Sequence, residues 1–252
     1  MFSLLLRTSV AARLRSCASV FVTGALAAGG MTFGGEGQLL EGGHYLVPDS
    51  TLSPSGHLGV AVPVLEFDDK IKDPKNRLVE VKTGRAIAEL DCRWPAWNRS
   101  NHGGYAAGWS KDGALLRWTV EGKWFCDTLF IVKLKDHAVV WQKDLVPDCQ
   151  KTILKLLKAK VPKAYAREKK WNEGSGAAYP EGFSVDVRTE DGDDAPEKLP
   201  LKVHVDITSD PKGIHKEAID AWLDAVLDED GKLTFGELRL ERRPGLKNSW
   251  AG

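Results

Sequence analysis

The sequence predicts a mainly β protein with a minor α part, and three features of the chain support this fold class. Short runs of β-branched and aromatic residues recur, and glycine-containing turns separate them. The unit formed by residues 103–145 repeats the order of features in residues 42–91. A lysine-rich stretch with helical spacing follows the second unit. We therefore expect two antiparallel sheets, one amphipathic helix and a C-terminal β-segment, with a β-sandwich as the alternative.

Residues 103–145 form the clearer of the two units. The sequence Ser110-Lys111-Asp112-Gly113 predicts a tight turn, because Asp and Gly adopt turn conformations at little steric cost. Two further breaks follow, at residues 121–123 and 135–137. Three strands are therefore predicted, at residues 114–120, 128–134 and 138–142.

The first unit has the same features in weaker form. Residues 42–62 contain paired glycines, a tyrosine, a Ser-x-x-Gly turn and a strand, as residues 102–120 do. Residues 78–85 match residues 130–137, since each stretch reads as a strand followed by a tight turn. A charged insertion at residues 66–75 makes the first unit longer than the second.

Both units resemble the blades of WD-type and periplasmic Tol-type β-propellers, which often open with a Ser-Pro-Asp-Gly-like turn. The resemblance covers residues 42–145, and it implies one blade-like antiparallel sheet for each unit. A closed propeller needs about 4 to 8 blades. Two units therefore imply an open array, with propeller-like β repeats over residues 28–145.

Residues 1–27 have the composition of a signal peptide. Arg7, Arg13 and Arg15 precede an apolar stretch at residues 18–30 that is rich in small residues, and the first acidic residue is Glu36. The sequence Ala25-Leu26-Ala27 is typical of a cleavage site. We expect a secreted or periplasmic protein. A mitochondrial protein with a cleaved transit peptide is the alternative, because arginine and serine without acids also suit that class.

The charge balance bears on the class of partner. The chain has 35 basic and 35 acidic residues, and loss of residues 1–27 leaves 32 basic against 35 acidic, a formal charge of −3. Nucleic acid is therefore not expected as a partner, since its phosphates select basic surfaces. We instead expect an unidentified ligand or protein as the partner.

Motifs that would identify an enzyme are missing from the sequence. There is no phosphate-binding loop, no zinc-protease helix and no hydrolase nucleophile elbow, and the histidines are scattered. We expect no cofactor and no metal, and we favour a non-enzymatic binding or envelope-associated protein. The alternative is a hydrolytic enzyme whose catalytic residues are dispersed along the chain.

Three cysteines follow the signal peptide, and none has metal-ligand spacing. Cys92 and Cys126 lie in neighbouring β-segments, and they are the preferred disulfide pair if the compartment is oxidising. Cys149 is expected to be a buried apolar residue of a helix.

Residues 146–172 form the predicted basic amphipathic helix. Pro147 and Asp148 are expected to start it, and Pro162 to end or kink it. Its lysines allow two interpretations. One is contact with an anionic membrane surface. The favoured one is an ordinary helix that covers a sheet and keeps its lysines in solvent.

Residues 173–252 form the predicted C-terminal β-rich segment. Residues 201–208 alternate between apolar and polar side chains, which predicts a strand with His204 on its solvent side. Residues 216–227 are ambiguous, because they contain helix-forming residues with helical spacing. Residues 228–231 predict an Asp-rich turn rather than a calcium loop, since Val226 would occupy the first ligand position.

The loop at residues 93–102 is the candidate binding site in the sequence. Tryptophan beside amide and imidazole groups is typical of loops that bind sugars or peptides. An alternative, which we favour, is that Trp94 and Trp97 plug the end of the sheet core. The candidate ligand-binding residues are Trp97, Asn98, Asn101 and His102.

Overall fold

The structure is a computed structural model that describes residues 37–64, 74–90, 104–121, 126–174, 180–192, 196–209 and 217–244. It confirms the mainly β fold class. The described residues form three antiparallel sheets and two helices, and no closed barrel is found among them.

The first two sheets are meanders, in which each strand pairs with the next one along the chain. The first sheet consists of β1 (Gly37–Leu40), β2 (Tyr45–Pro48), β3 (Leu58–Pro63), β4 (Asn76–Glu80) and β5 (Ala86–Leu90). The second consists of β6 (Gly104–Trp109), β7 (Leu115–Glu121), β8 (Cys126–Lys135) and β9 (Ala138–Asp144).

Equivalent turns connect β2 to β3 and β6 to β7. Gly56 N donates to Ser53 O at 2.8 Å, and Gly113 N donates to Ser110 O at 2.9 Å. In both turns the serine hydroxyl accepts a hydrogen bond from the backbone N–H five residues later. The two glycines have φ of +70° and +71°, a conformation that explains why glycine occupies this position. The predicted turn at residues 110–113 is thus confirmed, while the kinship with propeller blades stays a prediction.

Two helices follow the second sheet: α1 (Leu145–Lys160) and α2 (Pro162–Gly174). The predicted interruption at Pro162 separates them. The cap of α1 is Asp144 rather than Asp148, because the Asp144 carboxylate accepts from Val146 N at 3.1 Å. Cys149 is buried in α1, as predicted.

The third sheet consists of β10 (Ser184–Thr189), β11 (Leu201–Thr208), β12 (Glu217–Leu227), β13 (Leu233–Phe235) and β14 (Arg239–Pro244). The long strand β12 pairs with β11 on one side and with β13 and β14 on the other.

The helical spacing in residues 216–227 is misleading, because residues 217–227 form β12. The same residues also alternate, with Ile219, Leu223 and Leu227 among those buried on one face. All eight residues of β11 pair with β12. Tertiary pairing of this length overrides the helix propensity of the alanines and leucines in the segment.

Two apolar cores hold the sheets together. Trp118, Leu116 and Val132 of the second sheet pack against apolar residues of the first sheet. Leu129 and Ile131 pack on the other side, against a core that includes both α1 and the third sheet. The second sheet is therefore covered on both faces, which explains why six successive residues of β7 are buried.

Candidate functional site

The loop that the sequence singles out lies outside the described residues. This applies to Trp94, Trp97, Asn98, Asn101 and His102, and also to residues 1–27. Cys92 lies outside them too, while Cys126 is the first residue of β8. The binding loop, the signal peptide and the disulfide therefore stay predictions.

A polar face of the third sheet is the candidate site in the described part of the chain. Side chains alternate along each strand, so the residues that do not enter the core share the opposite face. Strand register places Asp186 opposite Asp206, Asp206 opposite Trp222, and Trp222 opposite Arg239. We call this surface the Trp222 face. It comprises Ser184, Asp186, Arg188, His204, Asp206, Thr208, Asp220, Trp222, Asp224, Arg239 and Glu241.

Two adjoining shallow hollows lie on the Trp222 face, with volumes of ≈ 300 Å³ and ≈ 680 Å³. Both are lined by Trp222, Asp206, Arg188 and Glu241. The Trp222 side chain is half-buried, so part of its indole ring lines the hollows. An aromatic ring in this position offers apolar area and a π face among charged groups.

The charges of the Trp222 face are predominantly negative. Five carboxylates lie among two guanidinium groups and one imidazole. Arg188 bridges two of the carboxylates, at 2.5 Å from Asp206 and 3.5 Å from Asp186. These contacts neutralise part of the charge and leave an excess of carboxylates in the hollows.

Asp186 differs from an ordinary surface aspartate. Its pKa is raised, mainly because burial penalises the ionised form and also because Asp206 is close; Arg188 opposes the shift. The Asp186 carboxyl therefore keeps its proton to a higher pH than an exposed aspartate does. A protonated carboxyl donates a hydrogen bond, whereas an ionised one only accepts.

His204 lies on the solvent side of β11, as predicted, and belongs to the Trp222 face. Its Nδ1 is 2.6 Å from an Asp224 oxygen. Arg239 Nη1 is 3.9 Å from the other oxygen of the same carboxylate. The Asp224 side chain, on β12, therefore contacts both His204 of β11 and Arg239 of β14.

The Asp-rich turn at residues 228–231 is confirmed. The Asp228 carboxylate accepts from Asp230 N at 3.0 Å and from Lys232 N at 2.8 Å. The carbonyl of Glu229 accepts from Trp141 Nε1 at 2.9 Å. The Asp228 side chain thus provides an acceptor for two backbone N–H groups of the turn, and the Glu229 carbonyl connects the turn to β9. Among the described residues, no group of three His, Cys, Asp or Glu side chains is already arranged around a metal position.

Sequence reasoning missed the Trp222 face because it depended on how residues 216–227 were interpreted. As a helix, this segment would place Asp220 and Asp224 on one face, four residues apart, and Trp222 on the opposite side. As a strand, it places Asp220, Trp222 and Asp224 on one face. The signal that could have revealed the face is the run of apolar residues at every second position from 219 to 227, which Trp222 and Val226 partly obscure.

The lysines of α1 that the sequence assigned to solvent are exposed, as at Lys151, Lys155 and Lys158. Neither described helix has the length and hydropathy that crossing a bilayer requires.

Comparison with known proteins gives no match to a protein-family model, to a curated protein or to a solved structure.

Proposed function

We propose that this chain is a non-enzymatic binding protein, secreted or periplasmic, whose Trp222 face binds a cationic ligand. One observation carries the proposal: Trp222 lies in the row Asp186–Asp206–Trp222–Arg239, beside an excess of carboxylates. A cation over the indole face gains about 0.5 to 2 kcal/mol, and the neighbouring carboxylates attract it further.

The shape of the site indicates the kind of cation. The hollows are shallow and adjoin each other across several strands, whereas sites for small substrates are usually concave and bury most of the ligand. A chain-like ligand with several positive groups suits such a surface. A peptide segment rich in lysine or arginine has this chemistry, and the half-buried Trp222 gives it an apolar contact.

Titration of the full chain with a short lysine-rich peptide, by calorimetry at low and high salt, tests the proposal. We expect binding that weakens as salt rises, because exposed charges are screened. Trp222→Leu keeps an apolar side chain but removes the π face, so affinity should fall about 2- to 30-fold.

A matched pair of charge variants makes the test specific. Glu241→Gln removes a carboxylate from the Trp222 face and should weaken peptide binding. Glu237→Gln removes a carboxylate outside the face: Glu237 is exposed, lies 4.0 Å from Lys160 and lines neither hollow. This control should bind as the wild type does. Equal affinity in all four proteins would contradict the proposal, as would salt-independent binding of neutral oligosaccharides to the same face.

A hydrolytic function is the second candidate, and the Asp186–Asp206 pair favours it. The two carboxyl groups lie opposite each other on adjacent strands, and the pKa of Asp186 is raised. Hydrolases that use two carboxyl groups need one protonated and one ionised. Turnover of chromogenic glycosides by the wild type, lost in both Asp186→Asn and Asp206→Asn, would establish this function. Peptide binding without turnover would leave the binding function as the better description.

A further inference from the structure

The charges of this chain are divided between two regions of its sequence. Residues 151–172 contain eight basic residues and one acidic residue, a formal charge of +7. Residues 180–244 contain nine basic and seventeen acidic residues, a formal charge of −8. The first region belongs to the two helices and the second to the third sheet. The chain as a whole is neutral, so two copies can approach each other without net repulsion.

An exposed face of α2 carries part of the positive charge. Lys163, Arg167 and Lys170 have helical spacing, and all three are exposed. Trp171 borders them and is 57% exposed, although tryptophan is on average a highly buried residue. Arg167 pairs through Nε with the buried Glu168, at 2.7 Å, and 54% of its side chain stays exposed. We call the surface formed by Lys163, Arg167, Lys170 and Trp171 the α2 face.

The other side of α2 fixes the helix to the rest of the chain. Tyr165 stacks on Phe183, with ring centroids 4.9 Å apart. Asn172 Nδ2 donates to Ser209 O at 3.1 Å, just after the end of β11. Residues 165, 168 and 172 are all buried and share one side of the helix, so the α2 face lies on the solvent side.

The α2 helix and the Trp222 face lie on opposite sides of the third sheet. Ala221 and Leu223 of β12 are buried in the core that contains Tyr165 of α2. Trp222 lies between them in the strand, so its side chain is on the face away from that core. The α2 face can therefore meet a Trp222 face only on a second copy of the chain.

We propose that the α2 face of one copy binds the Trp222 face of another copy. This inference rests on the proposed function, because it names a partner for the same site: the cationic ligand is a helix of this protein. The contact joins two different surfaces and is therefore heterologous. Each added copy brings a further face of each kind, so the assembly extends into a filament or closes into a ring.

The dimensions of the two faces agree. The segment from residue 163 to residue 170 is about 10 Å long, at 1.5 Å per residue of helix. The row from Asp186 to Arg239 crosses four strands, which is about 14 Å at the usual strand spacing. Two turns of α2 thus fit within the width of the Trp222 face. The helix is already folded, so binding does not have to order a flexible peptide.

The chemistry of the two faces is complementary. The Trp222 face has an excess of carboxylates around an indole ring, and the α2 face has three cations beside an indole ring. Tryptophan and arginine are enriched at the centres of protein interfaces. In the contact Trp171 is removed from water, and the opposite charges of the two faces attract each other.

Sedimentation of the full chain at several concentrations tests the contact. At low salt we expect the average mass to rise with concentration above that of one chain. High salt should return it to that of one chain, because exposed charges are screened. Trp171→Ala should weaken self-association at least about fivefold, as truncation of a central interface tryptophan does. Its stability should change little, because Trp171 is exposed.

The chain provides a matched control for the positive charges. A helix variant that replaces the three cations of the α2 face by glutamine should lose self-association. Replacing Lys151, Lys155 and Lys158 by glutamine removes the same charge at the same spacing from α1, which contains no tryptophan. This control should self-associate as the wild type does.

Complementary variants identify both surfaces in one experiment. The helix variant keeps its Trp222 face, whereas a face variant, Trp222→Leu with Glu241→Gln, keeps its α2 face. Each alone should be monomeric under conditions in which the wild type associates. An equimolar mixture should form a 1:1 dimer and nothing larger, because one intact face of each kind remains. A misfolded variant could not restore the association of the other, so this dimer would exclude a folding defect.

The outcomes separate this inference from the proposed function. A wild type that binds the lysine-rich peptide but stays monomeric at every concentration would overturn the inference and leave the proposed function intact. A wild type that does neither would overturn both. Self-association that persists in the helix variant and the face variant, or a mixture of the two that stays monomeric, would overturn the contact between these two faces.

Discussion

The Asp144 carboxylate accepts a hydrogen bond from Val146 N, and the same oxygen accepts one from Leu129 N at 3.2 Å. One side chain therefore caps α1 and also fixes β8 beside it. Because α1 packs between the second and third sheets, this residue joins the start of the helix to the second sheet.

Replacing Asp144 by alanine should destabilise the protein by about 2 kcal/mol, because the helix loses its cap and Leu129 N loses its acceptor. Denaturant unfolding measures the change. Asp148→Ala is the control, since Asp148 lies in the same turn and makes an ion pair with Lys143 at the surface. It should cost about 1 kcal/mol or less. Equal losses in the two variants would contradict the assigned cap.

The same aspartate should contribute to the pH dependence of stability. Burial raises the pKa of Asp144 in the folded protein. The Asp144 side chain therefore makes its full contribution to folded-state stability below the ordinary aspartate pKa of about 3.9. This contribution is lost as pH rises through the raised pKa that Asp144 has in the folded protein. Asp144→Asn keeps an acceptor oxygen and does not ionise. The free energy of unfolding of this variant should therefore not fall for this reason. As pH rises from about 4 towards neutrality, the variant should become increasingly stable relative to the wild type. A constant difference between the two proteins across that range would contradict the sign.

A pair of tryptophans tests the stacking of the sheets. Trp118 is fully buried between the first and second sheets, whereas Trp171 of α2 is 57% exposed. Trp118→Ala should cost about 3 to 5 kcal/mol. Trp171→Ala should cost about 0.5 kcal/mol or less, as surface changes usually do. Denaturant melts of both variants give the comparison, and a small loss at Trp118 would mean that the two sheets do not pack as described.

The lysine face of α1 distinguishes a solvated helix from a membrane-binding one. Lys151, Lys155 and Lys158 are all exposed. Replacing the three by glutamine should change stability by about 1 kcal/mol or less per residue, and neither protein should bind vesicles of anionic lipid. Salt-sensitive vesicle binding by the wild type that the triple variant loses would instead support membrane contact.

Export is tested on protein from the native host. The composition of residues 1–27 predicts that the mature chain begins near Ala28. N-terminal sequencing identifies the first residue directly. Recovery of the intact chain from the cytosol would contradict both the predicted location and the disulfide between Cys92 and Cys126.

The sequence determined the features that depend on near neighbours. Ser110 and Gly113 specify their turn because the hydroxyl, the backbone N–H groups and the positive φ all lie within a few residues. Pro162 divides the basic segment because its ring constrains only the adjacent backbone. The alternation in residues 201–208 predicted both the buried face of β11 and the place of His204 on its solvent side for the same reason.

Tertiary structure decided what depends on pairing between distant segments. Residues 216–227 have both helical and alternating spacing, and pairing with β11 and β14 selected the strand. That choice placed Trp222 in one row with Asp186 and Asp206, which no local pattern relates. Such sites arise from register and packing, and these are set by the burial of apolar surface over the whole chain rather than by the residues beside each site.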